Sequence, residues 1–156
     1  MSIVRESGAD PKRIELEITE TMIMRNIEQS IETLTLLKAA GMQVAVDDFG
    51  VGYSSLNQLT RLPASSMKID RSFIMNLPGD ESSGSITEAI IAMAKRLRLR
   101  VTAEGVETPA QLDFLRVNHC EAFQGYLFSR PVTAAEATAM LRAQASETLA
   151  RIAQSA

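Results

Sequence analysis

Five polar side chains fall late in five short strand-like segments: Glu17, Asp47, Lys68, Glu104 and Gln124. Four of these segments carry an apolar pair, Leu16 and Ile18, Val44 and Val46, Met67 and Ile69, and Val101 and Ala103. Side chains alternate along a strand, so the polar group lies on the opposite face each time. One acidic residue at one strand end is ordinarily a solvated loop entry or a cap. Five polar groups on the same side of five successive strands point to a site. Burying several carboxylates together is too costly unless cations pair with them. A donor set rich in oxygen and poor in His and Cys suits Mg²⁺, Mn²⁺ or Ca²⁺ rather than Zn²⁺. Taken alone, these residues fit a metal-dependent enzyme acting on a phosphate or carboxylate substrate.

Asp47 and Asp48 are adjacent and would point to opposite faces of a regular strand. Both reach one site only if the strand ends there and the backbone turns. The run Phe49-Gly50-Val51-Gly52 is expected to supply that turn, since glycine tolerates positive φ. The pair then either bridges two metals or supplies one Asx-turn cap. His119 reads as a surface histidine. Cys120, the lone cysteine, reads as a buried small hydrophobe rather than a nucleophile.

The elements that must position these groups alternate between strand and helix. The patterning predicts strands over 13–19, 43–47, 66–70, 100–104 and 122–127. Helices are predicted over 26–40, from Ser54 or Ser55 to Pro63, over 85–97 and 109–118, and from 133 to about 150. Gly41 is expected to stop the first helix. Ile86, Ile90, Met93 and Leu97 form the expected apolar stripe of the third. Residues 78–84, rich in Pro, Gly, Ser and acid, read as an exposed loop. Thr108-Pro109-Ala110-Gln111 and Thr133-Ala134-Ala135-Glu136 read as capping boxes. This rhythm predicts an α/β fold with a parallel sheet, either a (β/α) barrel or a doubly wound sheet. In a barrel, catalytic residues collect at the C-terminal ends of the strands.

The 156 residues suffice for one domain with a real core. A net charge of −3 provides no basic surface for duplex DNA or RNA. A phosphorylated small ligand stays possible, because metal ions can neutralise phosphate. The single cysteine fits a reducing cytoplasm. No run reaches the roughly 18 apolar residues of a membrane span, and residues 1–11 do not read as a signal peptide.

Several segments together resemble the EAL domain family, which hydrolyses cyclic-di-GMP. Glu17-Ile-Thr-Glu20 resembles its ExTE motif, and the run from Asp47 to Leu56 resembles its DDFGTGYSSL loop, with Val51 in place of the usual Thr or Ala. Lys68-Ile-Asp70 followed by Phe73 resembles KIDxxF, residues 103–107 resemble AEGVE, and residues 124–131 resemble QGYLFSxP. The resemblance covers about residues 13–132. It implies a TIM-like barrel with two divalent ions, Mg²⁺ or Mn²⁺, and hydrolysis to the linear dinucleotide. Glu17, Asp47 and Glu104 would be metal ligands, and Asp48 the ligand of the second metal. Lys68 would orient the attacking water, with Glu104 tuning its protonation and Gln124 beside it. Glu20 would brace the loop after Asp48, and Asp70 and Glu107 would lie on the substrate side.

Beyond Val51, the match departs from the family in one large respect. The Glu-Ala-Leu motif and the family's asparagine ligand are not in this sequence. The five strands resemble the family's last five, so three βα units, roughly 100 residues, would be missing. The expected organisation is a lead-in over 1–12, a truncated EAL domain over 13–150 and a tail over 151–156. Two sheet edges, at 13–19 and 122–127, would then be open, inviting self-association or a missing N-terminal half. The chain alone would be weakly active or inactive. The alternative is a non-catalytic module binding cyclic-di-GMP or a protein partner.

Overall fold

Strict alternation in Glu15-Leu16-Glu17-Ile18-Thr19 makes the first strand, β1. It is joined by β2 (Gln43–Phe49), β3 (Ser66–Ile69), β4 (Arg100–Glu104) and β5 (Ala122–Gln124). The computed structural model describes the backbone of residues 2–51 and 56–154, and the side chains of 2–51 and 57–144. All neighbouring strands are parallel, in the order β1-β2-β3-β4-β5. Parallel neighbours need crossover connections, and helices provide them.

The helices are α1 (Ser2–Ser7), α2 (Glu20–Arg25), α3 (Ile27–Ala39), α4 (Leu56–Leu59), α5 (Arg71–Ile74), α6 (Glu81–Arg96), α7 (Pro109–Val117) and α8 (Ala134–Gln154). A short 3₁₀ turn over Pro11–Arg13 takes the place expected for the start of β1. Pro11 favours the turn, and the Asp10 side chain caps it by accepting from the Lys12 N–H. Both expected capping boxes form. Thr108 and Gln111 exchange hydrogen bonds reciprocally at α7. The Thr133 N–H donates to Glu136 at 2.8 Å, ahead of α8. The Ser54 or Ser55 cap expected for α4 lies outside the described residues.

Val44, Val46, Met67, Ile69, Val101 and Ala103 are all buried and share one core with Ile23, Leu34, Ile90, Ile91 and Leu115 from the helices. Each fully buried aliphatic side chain contributes about 1.5–3 kcal/mol, so this helix-facing layer is the main source of stability. The opposite sheet face is polar and layered. Toward the strand starts, Ser66 donates to Glu15 and Arg100 lies 3.6 Å from Glu15. Toward the strand ends lie the groups singled out above.

The structure corrects four local expectations. Helix α6 begins at Glu81, inside the stretch read as a loop, because Asp80 caps it by accepting the Ser83 N–H at 2.7 Å. Gly84 is buried in that helix beside the Phe114 ring of α7, where a Cβ would make only ordinary van der Waals contact. The buried stripe of α6 is therefore Thr87, Ile90, Ile91 and Ala94, and Ile86 is exposed. Strand β2 continues through Phe49 instead of ending at Asp47. Strand β5 ends at Gln124, where the chain turns at Gly125; the Leu127 N–H then donates to the Val106 carbonyl. No helix among the described residues is long and apolar enough to cross a membrane.

Candidate metal centre

Lys68 stands at the middle of the polar face. It leaves the central strand β3, and its side chain is only 9% exposed. Its ammonium lies 2.7 Å from Glu17 on β1, 3.3 Å from Asp47 on β2 and 2.7 Å from Glu104 on β4. Four strands thus converge on one nitrogen. Burial alone would pull the lysine pKa down. The hydrogen bonds to Glu104 and Glu17, with the charge of Asp47, outweigh that and hold it above its ordinary value.

Asp48 reaches the same region by a route different from the expected one. Strand β2 pairs with β3 at Val46↔Met67 and again at Phe49↔Ile69. Three steps along β2 therefore oppose two along β3, which is a one-residue bulge. Asp48 itself takes the left-handed backbone at φ 53°, and its N–H donates to Asp47 Oδ1 at 3.0 Å. Aspartate is among the few residues that tolerate this region. Carboxylate oxygens of Asp47, Asp48 and Glu104 then lie within 4.8 Å of one another. Burial first, then the charges of Asp47 and Asp70, raise the Asp48 pKa against the opposing pull of Lys68.

The turn beyond the bulge is held from a distance. Glu20, in the first turn of α2 and 3% exposed, accepts the Gly50 N–H at 3.2 Å. Gly50 has φ 100°, and a Cβ there would come within 2.8 Å of the Phe73 ring. Residues of three sequence motifs thus meet at this loop.

The remaining candidates sit at the rim. Asp70 caps α5 by accepting the Ser72 N–H at 2.9 Å. Glu107 is 40% exposed and pairs with Arg71 at 2.7 Å. Gln124 is exposed and stands opposite Glu104 in the β4–β5 register. Beyond Gln124, a groove of about 790 Å³ runs between the segment after β5 and α8, lined by Tyr126, Phe128, Val132, Met140 and Leu141 among others. His119, exposed at φ 57°, follows α7 and takes no part in the site. Cys120 is partly buried against the core, and its thiol donates to the Ala122 carbonyl at 3.3 Å.

The structure therefore brings Glu17, Asp47, Asp48, Lys68 and Glu104 together, sets Gln124 beside them, and keeps Asp70 and Glu107 on the rim. Sequence reasoning missed Arg71 and the layer of Glu15, Ser66 and Arg100. Glu15 was legible, since it shares the parity of Glu17. Four carboxylates against one ammonium leave the centre anionic, and their oxygens are the hard donors that Mg²⁺, Mn²⁺ or Ca²⁺ take. The residues present fit a divalent-cation site.

Comparison with known proteins bears on the family and the fold. A family model described as the EAL domain matches residues 1–131. The cyclic di-GMP phosphodiesterase NbdA of Pseudomonas aeruginosa is 55% identical over 140 residues, covering 90% of this chain and 18% of that protein. The chain thus spans less than a fifth of this curated relative. The solved PaMucR phosphodiesterase in complex with c-di-GMP superposes with a TM-score of 0.84 at 43% identity, covering 86% of this chain and 55% of that one. The manganese/cy-diGMP complex of Klebsiella pneumoniae BlrP1 at pH 9.0 superposes with a TM-score of 0.77 at 34% identity, covering 83% and 33%.

Proposed function

This chain belongs to the EAL domain family, and on that premise we propose that it supplies five βα units of a cyclic-di-GMP phosphodiesterase working in the cytoplasm. The observation that carries the reading is the convergence of Glu17, Asp47 and Glu104 on Lys68, with Asp48 delivered beside them by the β2 bulge. The reaction is hydrolysis of one phosphodiester to the linear dinucleotide by in-line attack of water.

Glu17, Asp47, Asp48 and Glu104 would hold two Mg²⁺ or Mn²⁺ ions. When bound, such ions activate water and neutralise charge on the phosphate. Glu104 would accept a proton from the attacking water. Lys68 holds that water in line and offsets charge developing on the phosphoryl oxygens. Gln124 donates from its amide on the neighbouring strand and fixes the water's orientation. Glu20 acts at a distance, keeping Asp48 in place through the Gly50 N–H. Asp70 and Glu107 shape the substrate side of the rim.

The test is direct. The protein is incubated with cyclic-di-GMP and Mg²⁺ or Mn²⁺, and products are separated by chromatography. Only slow formation of the linear dinucleotide is expected from the five-unit chain alone, and Glu104→Gln should abolish it. Calorimetric binding of cyclic-di-GMP without turnover would instead favour the non-catalytic module. Absence of both binding and turnover sinks the reading. A second proposal concerns partners. Strands β1 and β5 each pair on one side only within this sheet, so self-association or further strands of the same domain are expected to cover them. Sedimentation giving a strict monomer of this chain would exclude self-association.

A further inference from the structure

Lys68 does more in this arrangement than wait for a substrate. A metal-free site with four clustered carboxylates repels itself, and each charge withdrawn from water raises the cost. The ammonium of Lys68 touches three of the four, from three different strands. Two of those three, Asp47 and Glu104, also belong to the trio whose oxygens lie within 4.8 Å of one another. Any cation drawn by Asp47 and Glu104 meets an ammonium that already shares them. The third contact, Glu17, stands outside that trio and is half exposed at the edge strand.

We propose that Lys68 is the resident counter-ion of the metal-free site, and that uptake of a divalent ion trades away its ion pairs to Asp47 and Glu104. The inference rests on the metal-centre reading given above. Its consequence is a coupling. The lysine is neutralised and held while the site is empty, and is released toward the reacting groups only as the site loads. Lys68 is then a positioning residue for the empty site as well as a participant in the loaded one. Metal uptake in turn carries a penalty, because like charges a few ångströms apart repel even in water.

The penalty sets the sign of the test. Mn²⁺ affinity is measured by electron paramagnetic resonance of the free ion, for the natural protein and for Lys68→Met. The methionine keeps the stem and removes the charge. Tighter Mn²⁺ binding by about tenfold is expected, the order of a charge repulsion at this range. Unchanged or weaker binding in a folded Lys68→Met protein overturns the inference while leaving the metal centre standing. No Mn²⁺ binding by the natural protein overturns the metal centre and the inference together.

Lys68→Met has its own folding risk, so a second measurement uses the natural protein. Lysine side-chain ¹⁵N resonances are followed as Mg²⁺ is added at constant ionic strength. The hydrogen-bonded ammonium of Lys68 should give a protected signal without Mg²⁺, and that signal should move or broaden as the ion binds. A Lys68 signal untouched at Mg²⁺ saturation refutes the exchange.

Discussion

Glu20→Ala tests how a residue far from the metal donors fixes one of them. Glu20 is 3% exposed and accepts the Gly50 N–H at 3.2 Å. Alanine leaves that N–H without this acceptor at a backbone position already confined by φ 100° and the Phe73 ring. Gly50 is itself exposed, so water can take over its N–H, and the loss is the net worth of a hydrogen bond to a charged group, about 1.5–3 kcal/mol. Glu20 also sits in the first turn of α2, where a carboxylate is favoured by about 0.3–1 kcal/mol. Together these give an expected loss of roughly 2–3 kcal/mol, read as the shift in a urea unfolding curve. The local signature is sharper than the global one. Hydrogen exchange at the Gly50 amide should accelerate about thirtyfold for each 2 kcal/mol of lost protection. Glu20→Gln keeps a neutral oxygen acceptor and should recover part of both effects. Gly50 exchange unchanged in Glu20→Ala would refute the reasoning, whatever the unfolding midpoint did.

Three further predictions follow from the same kind of contact. Gly125→Ala would drive a Cβ into the Val106 backbone, disturbing the Val106 N–H to Gln124 carbonyl bond and the Leu127 N–H to Val106 carbonyl bond; a loss of about 3 kcal/mol is expected in thermal or urea unfolding, and a neutral result would contradict the packing. Asp48 has its folded-state pKa raised, by burial first and then by Asp47 and Asp70, so without metal its ionisation works against the fold as pH rises above the unfolded aspartate value. Asp48→Asn should therefore stabilise the metal-free protein more at pH 7 than at pH 3, with a pH-independent part because Asn suits the left-handed backbone; equal gains at both pH values would show that the charge is not involved. Burial raises the Cys120 thiol pKa above the usual range, so the native protein should react slowly with a thiol-specific dye near pH 7 and quickly once unfolded; equal rates would show the thiol is not protected.

The strand–helix alternation, the apolar pairs and the polar residues at strand ends were all legible because they are local and periodic. Thr108-Pro109-Ala110-Gln111 could be read as a helix start for the same reason, since a capping box closes within four residues. The start of α6 could not. Residues 78–84 have loop composition, and the Asp80 cap, with burial of Gly84 in the core-facing side of α6, makes the last of them helical. Intrinsic propensity is a weak prior that tertiary contacts override. Ile86 was misplaced for a related reason, because which face of α6 is buried depends on where α7 and the sheet lie.

The site divides along the same line. From the sequence alone came the residue types, their order and their shared parity, because side-chain direction along a strand follows from backbone geometry. The need for a turn between Asp47 and Asp48 followed as well. The tertiary structure decided that the turn is a bulge inside β2 rather than a glycine stop after it. A bulge exists only relative to a partner strand, and the register against β3 is not written in β2. It also decided that Glu17, Asp47 and Glu104 close on a single ammonium, 2.7 to 3.3 Å away. Lys68 and Glu17 are 51 positions apart, in motifs that no local rule connects, and only the parallel order of β1 to β4 brings them within reach.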